Sequence, residues 1–260
     1  MKKYIGFLKF NTESEKELLD YYSQAIAEHK KVMTVTPNLD IYRIAYNDRN
    51  VRKNFEKADI LTIDGKPILW IAKWLKVKDF KYKISGSDLA VDLLTILNNQ
   101  NASLYLFGGK EGVAELAKQK IQEKYPNINI VGTKCPKMGY EKDEELCVKY
   151  INDINAAKPN VVFLCTGTPK TENFFFSHYN LFEPACYFSV GATIDFIAGT
   201  ISRAPKWMSR IGLEWFYRLT KDFKRLFKRY LLDGLFLIKI WFLCHFNRKE
   251  ICRLHENNTN

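Results

Sequence analysis

Through the first 200 residues, short apolar runs alternate with stretches whose apolar positions recur at helical spacing. VMTVT (32–36), DILTI (59–63), SLYLFG (103–108), NINIVG (127–132), VVFLCTG (161–167) and YFSVG (187–191) read as strands. Asp40 to Phe55, Ser87 to Asn98, Lys110 to Lys124, Glu144 to Ala157 and Thr171 to Tyr179 read as helices. Strands alternating with helices of this length predict an α/β fold, a parallel sheet covered by helices on both faces. Beyond residue 200 the pattern changes. On a helical wheel over 215–231, Trp215, Leu219, Phe223, Leu226, Phe227 and Tyr230 share one face, and Arg218, Lys221, Lys224, Arg225, Lys228 and Arg229 share the other. The run LLDGLFLIKIWFLCHF (231–246) continues the apolar character, interrupted by Asp233, Lys239 and His245. This reads as a basic amphipathic helix of the kind that lies in a membrane interface, the apolar run favouring that over the alternative of a helix packed on the core with a solvated basic face. The chain divides accordingly into a core (1–200) and a C-terminal helical appendage (201–260).

Charge sharpens that division. Of 40 Lys+Arg and 29 Asp+Glu in 260 residues, 13 basic and only 5 acidic residues fall from Arg203 onward, so most of the net +11 sits on the appendage. Such a segment calls for an anionic partner: phospholipid head groups, nucleic acid or a phosphorylated substrate. No zinc-finger, helix-turn-helix or RNA-recognition signature accompanies it, so no nucleic-acid partner is expected. An apolar content of 47% with 27% charged residues excludes disorder. No run of 18 uncharged apolar residues is present and the N-terminus does not read as a secretory signal. The cysteines (135, 147, 165, 186, 244 and 252) lack zinc or C-x-x-C spacing and read as reduced core thiols.

Several strand ends carry polar residues. Asp64 and Gly65 follow DILTI, at the carboxyl end of a strand, where open parallel sheets bind ligands; a turn-forming Asp-Gly explains the pair as well. Thr36 and Asn38 flank Pro37 at the end of VMTVT, and Asn38 also suits a helix N-cap. Lys83, Ser85, Gly86, Ser87 and Asp88 form a loop before a helix. Gly108 and Gly109 open another strand-to-helix turn whose free N–H groups suit an anion, and TGTPKTEN (166–173) repeats the arrangement. Neither loop matches G-x-G-x-x-G or G-K-[ST]. Gly191 begins GATIDFIAG, in which Asp195 is a carboxylate that needs a partner or a ligand.

Taken in order, TPN (36–38), DG (64–65), ISGSDL (84–89), LFGGKEGVAE (106–115), TGTPKTEN (166–173), GATIDFIAG (191–199), RAPKWM (203–208) and EWFYRL (214–219) resemble the WecG/TagA/CpsF family of bacterial glycosyltransferases. The resemblance runs from about residue 32 to 231. It implies a Rossmann-like sheet with a C-terminal helical appendage and transfer of a sugar from a UDP-sugar to an undecaprenyl-diphosphate-linked acceptor. The products are teichoic acid linkage units, capsule or other cell-surface polysaccharide. It further implies inversion at the anomeric carbon without a bound metal or cofactor, in keeping with the lack of a D-x-D pair. The enzyme is expected in the cytoplasm, peripheral on the inner face of the membrane, and the architecture leaves room for a homo-oligomer.

Carried over by position, the resemblance makes Asp64 the candidate general base, with an electrostatic role equally open, and sets Thr36 beside it in the catalytic group. Asn38, Gly65, Lys83, Ser85, Gly86, Asp88, Gly108, Gly109, Gly167, Thr168, Pro169, Lys170, Glu172, Gly191 and Asp195 become substrate-binding. Arg203, Arg218, Arg225 and Arg229 are assigned to a diphosphate or the membrane. Two positions depart from the family pattern: Thr171 replaces its Gln, and Lys83 replaces an Arg whose bidentate contact a lysine cannot make. The competing functions are an NAD(P)-dependent oxidoreductase, which the sheet permits, and a non-catalytic membrane adaptor, which the basic tail permits.

Overall fold

A computed structural model describes residues 1–205, 207–208 and 212–253 of the chain. Lys206 of the RAPKWM motif and residues 254–260 of the appendage lie outside the described residues. An antiparallel hairpin of β1 (Lys2–Ile5) and β2 (Leu8–Asn11) opens the chain and is followed by α1 (Glu15–Ala27). Then come β3 (Val32–Val35), α2 (Leu39–Asn47), α3 (Arg49–Lys57), β4 (Ile60–Leu61), α4 (Lys66–Trp74) and α5 (Gly86–Asn99). The second half of the core holds β5 (Ser103–Gly108), α6 (Val113–Lys124), β6 (Asn129–Lys134), α7 (Glu144–Ala156), β7 (Val161–Cys165), α8 (Lys170–Ser177), β8 (Cys186–Ser189) and α9 (Thr193–Ala198). The appendage consists of α10 (Glu214–Lys221), α11 (Phe223–Phe246) and α12 (Arg248–Arg253).

Strands β3 to β8 form one parallel sheet in the order β4-β3-β8-β7-β5-β6. Because successive strand residues face opposite ways, Leu104, Leu106, Val161, Phe163 and Phe188 pack into a layer with α1, α5, α6 and α9. Tyr105, Phe107, Val162, Leu164 and Tyr187 pack into the other layer, with α2, α3, α4, α7, α8 and the hairpin. The expected α/β sheet with helices on both faces is thus present, and all six expected strands lie in it.

The differences are local and have local causes. The helix expected over Asp40 to Phe55 is two helices, because Asp48 adopts an extended conformation and its carboxylate accepts hydrogen bonds from the N–H groups of Asn50 and Val51, starting α3. Likewise the helix expected over 215–231 breaks at Asp222. The wheel drawn over it also changes. In α11, Leu226, Asp233, Phe236, Ile240 and Cys244 face inward, and the last three join the core layer that holds α2 and α4. Phe223, Phe227, Leu231, Leu235, Ile238, Phe242 and Phe246 form a separate, outward apolar stripe. Leu226 therefore leaves the expected apolar face, and Arg229 is half-buried rather than solvated. Among the described residues, no helix is long and apolar enough to cross a membrane.

Candidate active site

The carboxyl ends of β3, β7 and β8 open into a cleft of about 1130 Å³, closed on its far side by α10 and the start of α11. Thr36 directly follows β3, and its hydroxyl donates 3.2 Å to the Ser189 carbonyl at the end of β8. Gly86 is pressed against it: a Cβ there would come 2.3 Å from Thr36 Oγ1, so only glycine lets the start of α5 approach this closely. Asn38 both lines the cleft and caps α2, its Oδ1 accepting from Ile41 N–H at 3.1 Å. Asp64 stands on the same wall, fixed by a 2.9 Å bond from its N–H to the Pro37 carbonyl.

Burial pushes the Asp64 carboxyl up to about 6, aided by Glu214 and opposed by Arg218 and Lys83. A carboxylate with that affinity is ionised at neutral pH yet basic enough to accept a proton from a hydroxyl in a transition state. From the appendage, Arg218 and Arg225 line the cleft together with Lys221 and Tyr230. Arg218 is held by Glu214 at 2.6 Å and lies over the Phe196 ring at 5.1 Å. Arg225 pairs with Asp222.

Thirteen of the residues singled out in the sequence line this one cleft: Thr36, Asn38, Asp64, Gly86, Gly109, Gly167, Thr168, Lys170, Gly191, Asp195, Arg218, Arg225 and Arg229. Added Cβ atoms at Gly167 and Gly191 would meet nothing within 4 Å, which leaves open space for a ligand. Asp195 has the partner its setting demands, the Thr200 hydroxyl at 3.3 Å. The remaining eight are not on the cleft wall. Gly108 instead abuts the backbone of Cys165, where a Cβ would come within 2.4 Å of the carbonyl oxygen, so it serves strand packing. Glu172 is fully buried beneath the wall, and Oε1 accepts from the hydroxyls of Ser189 (2.7 Å) and Thr168 (3.0 Å). Burial raises its pKa as well. Arg203 pairs with Asp88 at 2.9 Å and with Ser87, an exposed contact to the first turn of α5. Gly65, Lys83, Ser85 and Pro169 complete this group; Lys83 still acts on Asp64 through its charge.

Sequence reasoning did not assign Asp40, Lys110, Lys137, Tyr140, Phe196 or Lys221, all of which line the cleft. Lys110 lay within the GGKEG turn and Lys221 on the basic helix face; Lys137 and Tyr140 come from a loop with no motif to mark it. Among the described residues, no group of three or more His, Cys, Asp or Glu side chains is placed to hold a metal ion.

A cleft at the carboxyl edge of a parallel sheet, lined by a carboxylate of raised pKa and by guanidinium groups, fits transfer of a group away from a diphosphate. The sequence profile of the glycosyl transferase WecG/TagA/CpsF family matches residues 4–250. The chain belongs to this family. Two curated relatives carry the name N-acetylglucosaminyldiphosphoundecaprenol N-acetyl-beta-D-mannosaminyltransferase. The protein from Bacillus subtilis (strain 168) is 31% identical over 202 residues, 77% of this chain and 76% of its own. The one from Staphylococcus aureus (strain MW2) is 29% identical over 193 residues, 74% of this chain and 73% of its own. Membership in the WecG/TagA/CpsF family makes the protein a glycosyltransferase and replaces the oxidoreductase and adaptor readings of the fold.

Proposed function

We propose that this glycosyltransferase moves an N-acetylhexosamine-type sugar, with N-acetylmannosamine first among the candidates, from a UDP-sugar to a sugar carried on undecaprenyl diphosphate. The transfer inverts the anomeric centre and requires no metal. The observation that carries the reading is that Asp64 shares one cleft with Arg218 and Arg225 and feels the charge of Arg218. The relatives' printed names, which specify a diphosphoundecaprenol acceptor and a mannosaminyl group, support the substrate class.

In the proposed step the acceptor hydroxyl oxygen attacks the anomeric carbon as the bond from that carbon to the UDP oxygen breaks. The hydroxyl proton passes to Asp64, and the electron pair of the broken bond leaves on the diphosphate, where arginine charge stabilises it. Guanidinium groups suit that task because they bind phosphate oxygens through two parallel hydrogen bonds. The outward stripe of α11, flanked by Lys224, Lys228 and Lys239, supports docking on an anionic membrane surface, in keeping with a lipid-borne acceptor. On this reading the enzyme works at the cytoplasmic face of the membrane.

The test is a panel of UDP-sugars offered to the full chain with an N-acetylglucosaminyl diphospholipid acceptor, with and without EDTA. Selective use of one UDP-sugar, unaffected by EDTA, is the expected result. Transfer that EDTA abolishes would overturn the metal-free step, and failure with every UDP-sugar would overturn the donor class.

A further inference from the structure

The segment that carries cleft residues from the appendage has little apolar anchoring. No residue of α10 is buried, and in α11 Leu226 is the sole buried residue before position 233. The core contacts of Phe236, Ile240 and Cys244 all come later. Asp233 stands at that boundary, 5% exposed. Its Oδ1 accepts from Arg43 Nε at 2.8 Å, and the Nη2 group of the same guanidinium donates to Asp40. Arg229 Nε lies 3.0 Å from the second oxygen of Asp40 and 4.0 Å from that of Asp233. Two carboxylates and two guanidiniums thus alternate around a closed ring, one of each from α2 and one of each from α11.

That ring fixes geometry rather than adding burial. A carboxylate at Asp233 is tolerated in this setting only if its cations are correctly placed, so the pairing dictates where α11 sits on α2. Asp40 lies in the first turn of α2, two residues after Asn38, so the appendage is referenced to the strand end that carries Thr36 and Asn38. Arg229 differs in this respect from Arg218 and Arg225. It faces both Asp40 and Asp233, whereas Arg218 and Arg225 form ion pairs with residues of the appendage, within one turn, and Arg225 does so in an exposed pair that a diphosphate can displace.

We propose that Asp233 is a positioning residue: with Arg43 it clamps α11 where apolar anchoring ends, and so sets how Arg218, Arg225 and Tyr230 stand over the cleft. Arg229 belongs to the clamp and not to the diphosphate contact. The consequence for turnover rests on the glycosyltransfer reading above; the clamp itself does not.

The experiment is hydrogen exchange on the full chain together with steady-state kinetics, for wild type, Asp233→Asn and the double variant Arg43→Met/Asp233→Leu. The double variant removes both charges and fills the space with apolar atoms, so its melting temperature is expected to stay near that of wild type. In both variants exchange in residues 214–232 should quicken about tenfold or more while 236–246 stays protected, and kcat/KM for the lipid acceptor should fall about tenfold or more. Unchanged exchange in 214–232 would overturn the clamp. Loosening that spreads through 236–246 would also overturn it, by making Asp233 a general stabiliser. Wild-type kcat/KM in the double variant would remove the positioning role. If wild type itself transfers no sugar while exchange responds as expected, the clamp stands and the functional reading falls.

Discussion

The two walls of the cleft are built by different means. On the core wall, Thr36 and Asp64 are tied by hydrogen bonds to Ser189 and Pro37 at strand ends, above two layers of buried side chains. On the appendage wall, α10 buries no residue, and Arg218 and Arg225 are held by charge pairs with their own helical segment. Packing at native density leaves few alternative positions, whereas partly exposed ion pairs hold side chains weakly. On the proposed reaction, the group assigned to receive a proton at one defined place therefore sits on the packed wall, and the arginines proposed to meet the diphosphate sit on the wall that can adjust.

Substitutions on the two walls should accordingly fail in different ways. The largest effect is expected from Asp64→Asn, which keeps the shape and removes the base. Its kcat should fall about 10²–10⁴-fold with donor KM little changed. In wild type, kcat/KM should drop below pH of about 6, where Asp64 takes up its proton. A variant that turns over at the wild-type rate, or a profile flat from pH 5 to 8, would remove Asp64 from the reaction. Next comes Arg218→Ala on the appendage wall, with a loss of about 10–100-fold in kcat/KM, and chemistry that survives because the packed wall is intact. A loss as large as that of Asp64→Asn would erase the contrast between the walls. Smaller still is the effect of Leu235→Glu or Ile238→Glu on the outward stripe, both sites being 57% exposed. Co-sedimentation with anionic vesicles should weaken about tenfold, while turnover of a short-chain soluble acceptor stays at the wild-type level. Unaltered vesicle binding would move the membrane contact elsewhere.

The same contrast governs what could be read from the sequence. Strand runs such as Val161–Cys165 and Ser103–Gly108 are legible because a parallel sheet buried on both faces demands continuous apolar residues. Asp64 and Thr36 are legible because their places follow from strand ends. The appendage is legible as helical, but its faces are not, since a wheel assumes one helix with two faces, and α11 has a core face, an outward apolar face and a charged boundary between them. Nothing local in Asp233 or Arg43 announces that residues 190 positions apart form a pair. Glu172 misled for a related reason: a motif marks that it matters, but burial alone shows that it supports Thr168 and Ser189 from beneath the wall. The break at Asp222 and the cap at Asp48 depend on one residue's backbone state, which periodicity does not register.

The smallest expected effect concerns stability, and it tests whether the packed wall holds its carboxylate at a cost. The Asp64 carboxyl titrates near 3.8 in an unfolded chain and near 6 in the folded one, so folding favours its neutral form. Its stabilising contribution is complete below about pH 4 and is lost as pH rises through about 6, because the unfolded chain ionises first. The difference of about two pKa units sets an upper bound of ~3 kcal/mol, and partial contact with solvent in the cleft reduces it to about 1–2 kcal/mol. An asparagine side chain at this position has the same shape and no charge to desolvate. In urea titrations the Asp64→Asn chain should therefore exceed wild type in stability by about 1–2 kcal/mol at pH 7.5. That gap should shrink as pH falls from about 6 toward 4. Arg218→Ala should lower wild-type stability at pH 7.5 by withdrawing a charge that favours the Asp64 carboxylate, and the Asp64→Asn chain should feel the same substitution less. A gap independent of pH would mean that Asp64 is solvated like an ordinary surface carboxylate, and the packed wall would then lose its claim to set the basicity of the group it carries.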